Sequence, residues 1–116
     1  MISNRLLIID DEPALLHLLR RYLERLGYEV VSCTGSAEAL ACFEADPDSF
    51  SMTITDLSLP GMNGEELIAK MRELRPQIRA IITSGYSYEP LGKDVGFLQK
   101  PFLPQALLEA IEKARS

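Results

Sequence analysis

Four apolar runs of this chain stop abruptly on residues able to do chemistry. Leu6-Leu7-Ile8-Ile9 gives way to Asp10-Asp11, Ser51–Thr55 to Asp56, Ile78–Thr83 to Ser84, and Val95–Gln99 to Lys100-Pro101. Gathering Asp10, Asp11 and Asp56 in one place is costly, because two like charges ~4 Å apart repel by about 4 kcal/mol at an effective dielectric of 20. A divalent cation removes that cost. Carboxylates with retained waters describe a Mg²⁺ site, not a sulfur- or imidazole-rich one. Lys100 adds an ammonium that can reach a phosphoryl oxygen, Ser84 adds a neutral hydroxyl donor, and Gly85 keeps the approach open. Together these groups suit transfer of a phosphoryl group to an aspartate.

Whether the four places meet depends on the elements that carry them. Short continuous apolar runs read as strands buried on both faces. Between the first two strands, Pro13 suits a first helical position, and Leu15, Leu18, Leu19, Tyr22, Leu23 and Leu26 recur at steps of three and four before Gly27. That is an amphipathic helix. Residues 28–33 read as a second strand, and Ser36 is placed as the cap of a helix to about Ala45, with Leu40 and Phe43 inward. After Asp56 comes a loop, Leu57–Asn63, then a helix from about Gly64 to Leu74. Asn63 with Glu66 resembles a capping box, and Glu65, Glu66, Arg72 and Arg75 suit the helix dipole. Pro104 opens a last helix with Leu107, Leu108 and Ile111 on one face.

Strands alternating with helices imply a doubly wound parallel α/β sheet covered on both faces. In such a sheet, ligands bind at the carboxyl ends of the strands, where the acids and Lys100 all fall. The second strand ends on Cys33-Thr34 with no charge, as suits an edge strand. One crossover is short: Gly85–Val95 holds eleven residues, with Pro90 and Gly92 among them. A crossover with its helix needs at least ~10–12 residues, so the fourth helix is expected to be short or absent.

With 116 residues the chain suits one domain, 1–116, with no room for a second core. A net charge of −5 argues against direct binding to nucleic acid. There is no apolar run near the ~20 residues of a membrane helix, and no secretory-signal pattern at the N-terminus. A cytoplasmic location is expected. Cys33 and Cys42 fit no metal or redox spacing and read as reduced, apolar thiols.

Taken together, Asp10-Asp11, Asp56-Leu57-Ser58-Leu59-Pro60-Gly61-Met62-Asn63-Gly64, Ser84 and Lys100-Pro101-Phe102 resemble the receiver domain of two-component response regulators. The resemblance covers residues 4–115. It implies a flavodoxin-like sheet in the order 2-1-3-4-5, and a role for Asp56 as acceptor of a phosphoryl group from a histidine kinase or its phosphohistidine domain. It also implies Mg²⁺ held by Asp10, Asp11, Asp56 and the Ser58 backbone carbonyl. Lys100 would bind phosphate beside a cis bond to Pro101, a plausible isomer because X-Pro bonds favour trans by only ~0.5–1 kcal/mol. Ser84 matches a switch hydroxyl and Phe97 the aromatic that follows it. Members usually have a full fourth helix, so the short crossover departs from the pattern. The strings Ile82–Ser87 and Phe97–Phe102 look most like receivers of hybrid sensor histidine kinases, which leaves open whether Met1 is a gene start.

Two other functions fit parts of the pattern. A small aspartate-dependent phosphatase is the weaker, because Asp56-Leu57-Ser58 lacks an acid two positions on. A phosphorylation-independent interaction module would account for the short crossover. His17, on a face with Arg20, Arg21 and Glu24, reads as solvated, and Tyr86 and Tyr88 as loop aromatics.

Overall fold

A computed structural model describes residues 4–89 and 94–115. The order is β1 (Arg5–Ile9), α1 (Pro13–Arg25), β2 (Glu29–Cys33), α2 (Ser36–Ala45), a single 3₁₀ turn at Pro47–Ser49, β3 (Met52–Asp56), α3 (Gly64–Leu74), β4 (Arg79–Ser84), β5 (Val95–Gln99) and α4 (Pro104–Arg115). The five strands are all parallel and lie in the order β2-β1-β3-β4-β5, as the family resemblance implied.

Alternation along β1 divides the core into two layers. Leu6 and Ile8 pack with Leu16, Leu19 and Leu23 of α1 and Leu107 and Ile111 of α4. Leu7 and Ile9 face the opposite way, onto Ala39 and Phe43 of α2 and Leu67 and Met71 of α3. Each leucine, isoleucine, phenylalanine or methionine side chain so removed from water contributes ~1.5–3 kcal/mol. The helices therefore cover both faces and leave the strand ends open.

Two details differ from the sequence reading. In α1 the buried stripe runs through Leu16, Leu19 and Leu23, whereas Leu18 and Leu26 are about half exposed. Five leucines in thirteen positions, with Leu26 just beyond the last, offer two overlapping apolar stripes, and the tilt of the helix on β1 selects one. Ser36 is not a cap. Gly35 holds that position, and Ser36 is a buried residue of the first turn whose hydroxyl is used elsewhere.

Among the described residues no helix lies between β4 and β5. Pro90 and Gly92, the turn-formers of that crossover, fall outside the described residues, as does Met1. Where a helix would cover the sheet, Tyr88 packs with Ile68, Ala80, Ile82, Val95 and Phe97, its ring 6.0 Å from that of Phe97 and tilted by 54°.

Candidate functional site

The parallel register brings the carboxyl ends of the five strands level. Ile9 pairs with Cys33 on one side and Thr55 on the other, Asp56 with Thr83, and Ser84 with Gln99. Backbone bonds continue beyond these ends. Asp10 N–H donates to Cys33 O at 3.1 Å, Leu57 N–H to Thr83 O at 2.8 Å, and Lys100 N–H to Ser84 O at 2.7 Å. The residues that carry Asp10 and Lys100 are thus fixed by sheet-like bonds rather than left on free loops. The Lys100-Pro101 peptide bond is cis.

α3 begins hard against the end of β3. Gly64 N–H donates to Leu57 O at 2.8 Å, and a Cβ on Gly64 would stand 2.5 Å from the Asp56 carbonyl oxygen, a distance only glycine tolerates. Asn63 accepts the Glu66 N–H at 2.9 Å while Glu66 accepts the Asn63 N–H at 3.2 Å, completing the expected capping box.

The charged groups converge at this end of the sheet. Lys100 Nζ lies 2.5 Å from Asp10 Oδ2 and 3.2 Å from Asp56 Oδ2. Asp10 is 3% exposed and Asp56 7%. Asp10 Oδ1 accepts the Glu12 N–H at 2.9 Å, and Asp56 Oδ1 the Ser58 N–H at 3.4 Å. Burial raises the Asp56 carboxyl above its ordinary pKa; the hydrogen bond and charge of Lys100 pull it down, and Asp10 pushes it up again. Burial acts to lower the Lys100 ammonium, yet Asp10 and Asp56 outweigh it and hold the group above its ordinary value. Lys100 is therefore charged at neutral pH.

Carboxylate oxygens of Asp10, Asp11 and Asp56 lie within 4.8 Å of one another, with Asp11 exposed to solvent. Three carboxylates against one ammonium leave an excess of two negative charges, which a divalent cation matches. The donors are all oxygen, with an open side where waters can stay. That set fits Mg²⁺.

Ser84 is 2% exposed, and its Oγ accepts the Tyr86 N–H at 3.1 Å, a local turn that uses a lone pair and not the O–H. Ser58 reaches Asp56 through its own N–H and lines an open cleft with Asp11, Leu57, Asn63, Glu65 and Tyr88. Phe97 is half-buried against Tyr88. The structure thus joins Asp10, Asp11, Asp56 and Lys100 directly, with the Ser58 N–H on Asp56 and the Ser84 carbonyl accepting the Lys100 N–H, whereas Phe97 lies with Tyr88 against Ala80 and Ile82. His17 is exposed, and Cys33 and Cys42 are free thiols, Cys33 with its pKa pushed up by burial and by neighbouring Cys42 and Glu38.

Two residues beside the site were missed from sequence. Ser36 of α2 reaches the β3–α3 loop, and Tyr88 covers the gap at β5. Both depend on tertiary approach, and neither leaves a local signal.

The description of the response regulator receiver domain family matches residues 6–112. The two-component response regulator PprB of Pseudomonas aeruginosa is 37% identical over 119 aligned residues, covering 95% of this chain and 43% of that protein. The response regulator receiver protein CpdR of Brucella abortus is 30% identical, with 95% of each chain covered. The chain therefore spans less than half of the first relative and nearly all of the second. Among solved structures, the receiver domain of the hybrid histidine kinase CckA superposes with a TM-score of 0.87 at 29% identity, over 97% of this chain and 99% of that one.

Proposed function

The chain belongs to the response regulator receiver domain family of two-component phosphorelay signalling, and from that premise we propose that Asp56 accepts a phosphoryl group from the phosphohistidine of a histidine kinase. The observation that carries the assignment is the Lys100 ammonium bridging Asp10 and Asp56, with Asp11 in the same cluster.

In this reading an Asp56 carboxylate oxygen forms a bond to phosphorus as the phosphorus–nitrogen bond breaks. The imidazole leaves with that electron pair and takes up a proton from solvent. Mg²⁺, held by Asp10, Asp11, Asp56 and the Ser58 carbonyl, supplies positive charge to the phosphoryl oxygens when bound. Lys100 keeps its bond to Asp10 while its ammonium turns from Asp56 to a phosphoryl oxygen. Ser84 offers its O–H to another oxygen, and its movement alters the space beside Phe97. Hydrolysis reverses the modification: water attacks phosphorus, inorganic phosphate leaves, and the carboxylate returns. The domain acts on itself and has no further substrate. We assign residues 1–116 to one receiver domain and place it in the cytoplasm beside its kinase. No helix among the described residues is long and apolar enough to cross a membrane.

Incubation with a small-molecule acyl phosphate and Mg²⁺ is expected to add one phosphoryl group, seen by intact mass, and Asp56→Asn to abolish it. Labelling that persists in the variant overturns the assignment. That no helix lies between β4 and β5 among the described residues favours, as a second reading, an interaction module indifferent to phosphate; partner binding that does not change on phosphorylation would select it.

A further inference from the structure

The bend of the loop that follows Asp56 is held by a side chain of α2. Ser36, in the first turn of α2, is 5% exposed. Its Oγ donates to Pro60 O at 3.2 Å and accepts the Met62 N–H at 3.1 Å, so the donor and one acceptor lone pair of a single hydroxyl engage the two residues flanking Gly61. Gly61 has φ +83, and a Cβ there would approach Ser36 Oγ to 3.3 Å. The left-handed glycine turns the Pro60 carbonyl and the Met62 amide toward the same point, and Ser36 fills it.

We propose that Ser36 is a positioning residue for the metal-binding cleft, acting through the Leu57–Asn63 loop. The far end of that loop is anchored separately, by Gly64 N–H on Leu57 O and by the Asn63–Glu66 capping box. The near end is anchored by Asp56 itself. Between these ends the loop carries Ser58, whose carbonyl is the one backbone ligand of the proposed Mg²⁺ site, and Ser36 holds the bend between Ser58 and α3. Removing the hydroxyl leaves the carboxylates untouched but frees the segment that presents the carbonyl. Outer partners that orient a ligand commonly change metal affinity roughly 10- to 100-fold when lost; a hydroxyl two peptide units removed belongs at the low end. Nothing in the local sequence marks the role, since a serine before Ala-Glu-Ala reads as a helix cap.

The inference rests on the Mg²⁺ site of the proposed function. It is tested by calorimetric titration of Mg²⁺ into the protein, with amide exchange of Met62 followed on the same samples and initial rates of modification by an acyl phosphate measured against Mg²⁺ concentration. Ser36→Ala is expected to speed exchange at Met62, to raise the Mg²⁺ dissociation constant by roughly tenfold, and to leave the rate at saturating Mg²⁺ within about twofold. Should Ser36→Ala fold poorly, Gly61→Ala disturbs the same contact from its other side and is expected to shift the dissociation constant in the same direction. A dissociation constant within about twofold of wild type, with Met62 unprotected, overturns the positioning role and leaves the site assignment standing. Absence of Mg²⁺ binding by the wild type, or binding unaffected by Asp11→Asn, overturns both.

Discussion

Lys100 Nζ stands 2.5 Å from Oδ2 of Asp10, ninety positions earlier in the chain. The contact spans β3 and β4, which lie between the strands that carry the two residues, and it sets the electrostatic balance of the site. Its pKa is held above the ordinary lysine value by Asp10 and Asp56 against the opposing effect of burial.

Loss of that ammonium strands two largely buried carboxylates. Removing one partner of a buried pair costs ~3–5 kcal/mol; with Lys100 partly exposed and shared between acids, Lys100→Met is expected to lose about 2–3 kcal/mol in metal-free urea unfolding, with Mg²⁺ restoring part of it. The sign with pH follows from linkage. A folded pKa above the unfolded 10.5 means that the stabilisation is complete below pH 10.5 and fades as pH rises through the folded value. Wild type and variant should therefore converge in alkali. A constant gap there would show that the loss comes from packing.

Asp56 behaves in the opposite sense. Burial raises its folded pKa above 3.8, with Lys100 opposing and Asp10 adding to the rise. The folded state then holds the proton more tightly than the unfolded one, so the contribution of Asp56 is most favourable below pH 3.8 and worsens as pH climbs through the folded value. Asp56→Asn does not titrate. Without Mg²⁺ it is expected to be more stable than wild type at neutral pH, with the gap shrinking toward about pH 4. Urea midpoints across that range decide, and a wild type more stable than the variant at neutral pH refutes the point.

Strand ends were legible because a strand buried on both faces must be apolar throughout, so the first acid after Ile9 or Thr55 marks where the sheet opens. The start of α3 at Gly64 was legible, since Asn63 and Glu66 form a local cap that needs no tertiary help. Asp10, Asp56 and Lys100 followed from topology: parallel strands share one carboxyl end. What escaped was whatever depends on approach between elements. Leucines at 15, 16, 18, 19, 23 and 26 leave the stripe of α1 ambiguous until the sheet is placed. Ser36 has the composition of a cap and the position of a clamp, and Tyr88 packs onto Phe97 only because no described helix intervenes.

Gly64 offers a steric test of how β3 meets α3. A methyl group 2.5 Å from the Asp56 carbonyl oxygen cannot be accommodated without moving backbone, and overpacking of this kind costs ~1–3 kcal/mol. Gly64→Ala is expected to lower stability by about that amount and, because the displaced atoms belong to Asp56, to slow modification by an acyl phosphate. Helix propensity alone predicts the reverse, since alanine is favoured over glycine by ~1 kcal/mol. A stabilised, fully active variant would show that the close approach is absent in solution.

Tyr88 separates the worth of a ring from that of its hydroxyl. The ring packs on Phe97 and over Ala80 and Ile82, whereas the hydroxyl is buried with no hydrogen-bond partner among the described residues. A polar group left unpaired away from water costs ~1–3 kcal/mol, so Tyr88→Phe is expected to be neutral or to stabilise by about 1 kcal/mol. Tyr88→Ala removes the ring as well and uncovers the β4–β5 face; a cost of about 2 kcal/mol is expected, below the ~3–5 of a fully enclosed aromatic because Tyr88 is only partly buried. Thermal unfolding of the two variants reads both quantities. If Tyr88→Phe costs a kilocalorie or more, the hydroxyl has a partner in solution. If Tyr88→Ala costs nothing, the ring does not substitute for a helix over β4 and β5, and that face is solvated or covered by another element.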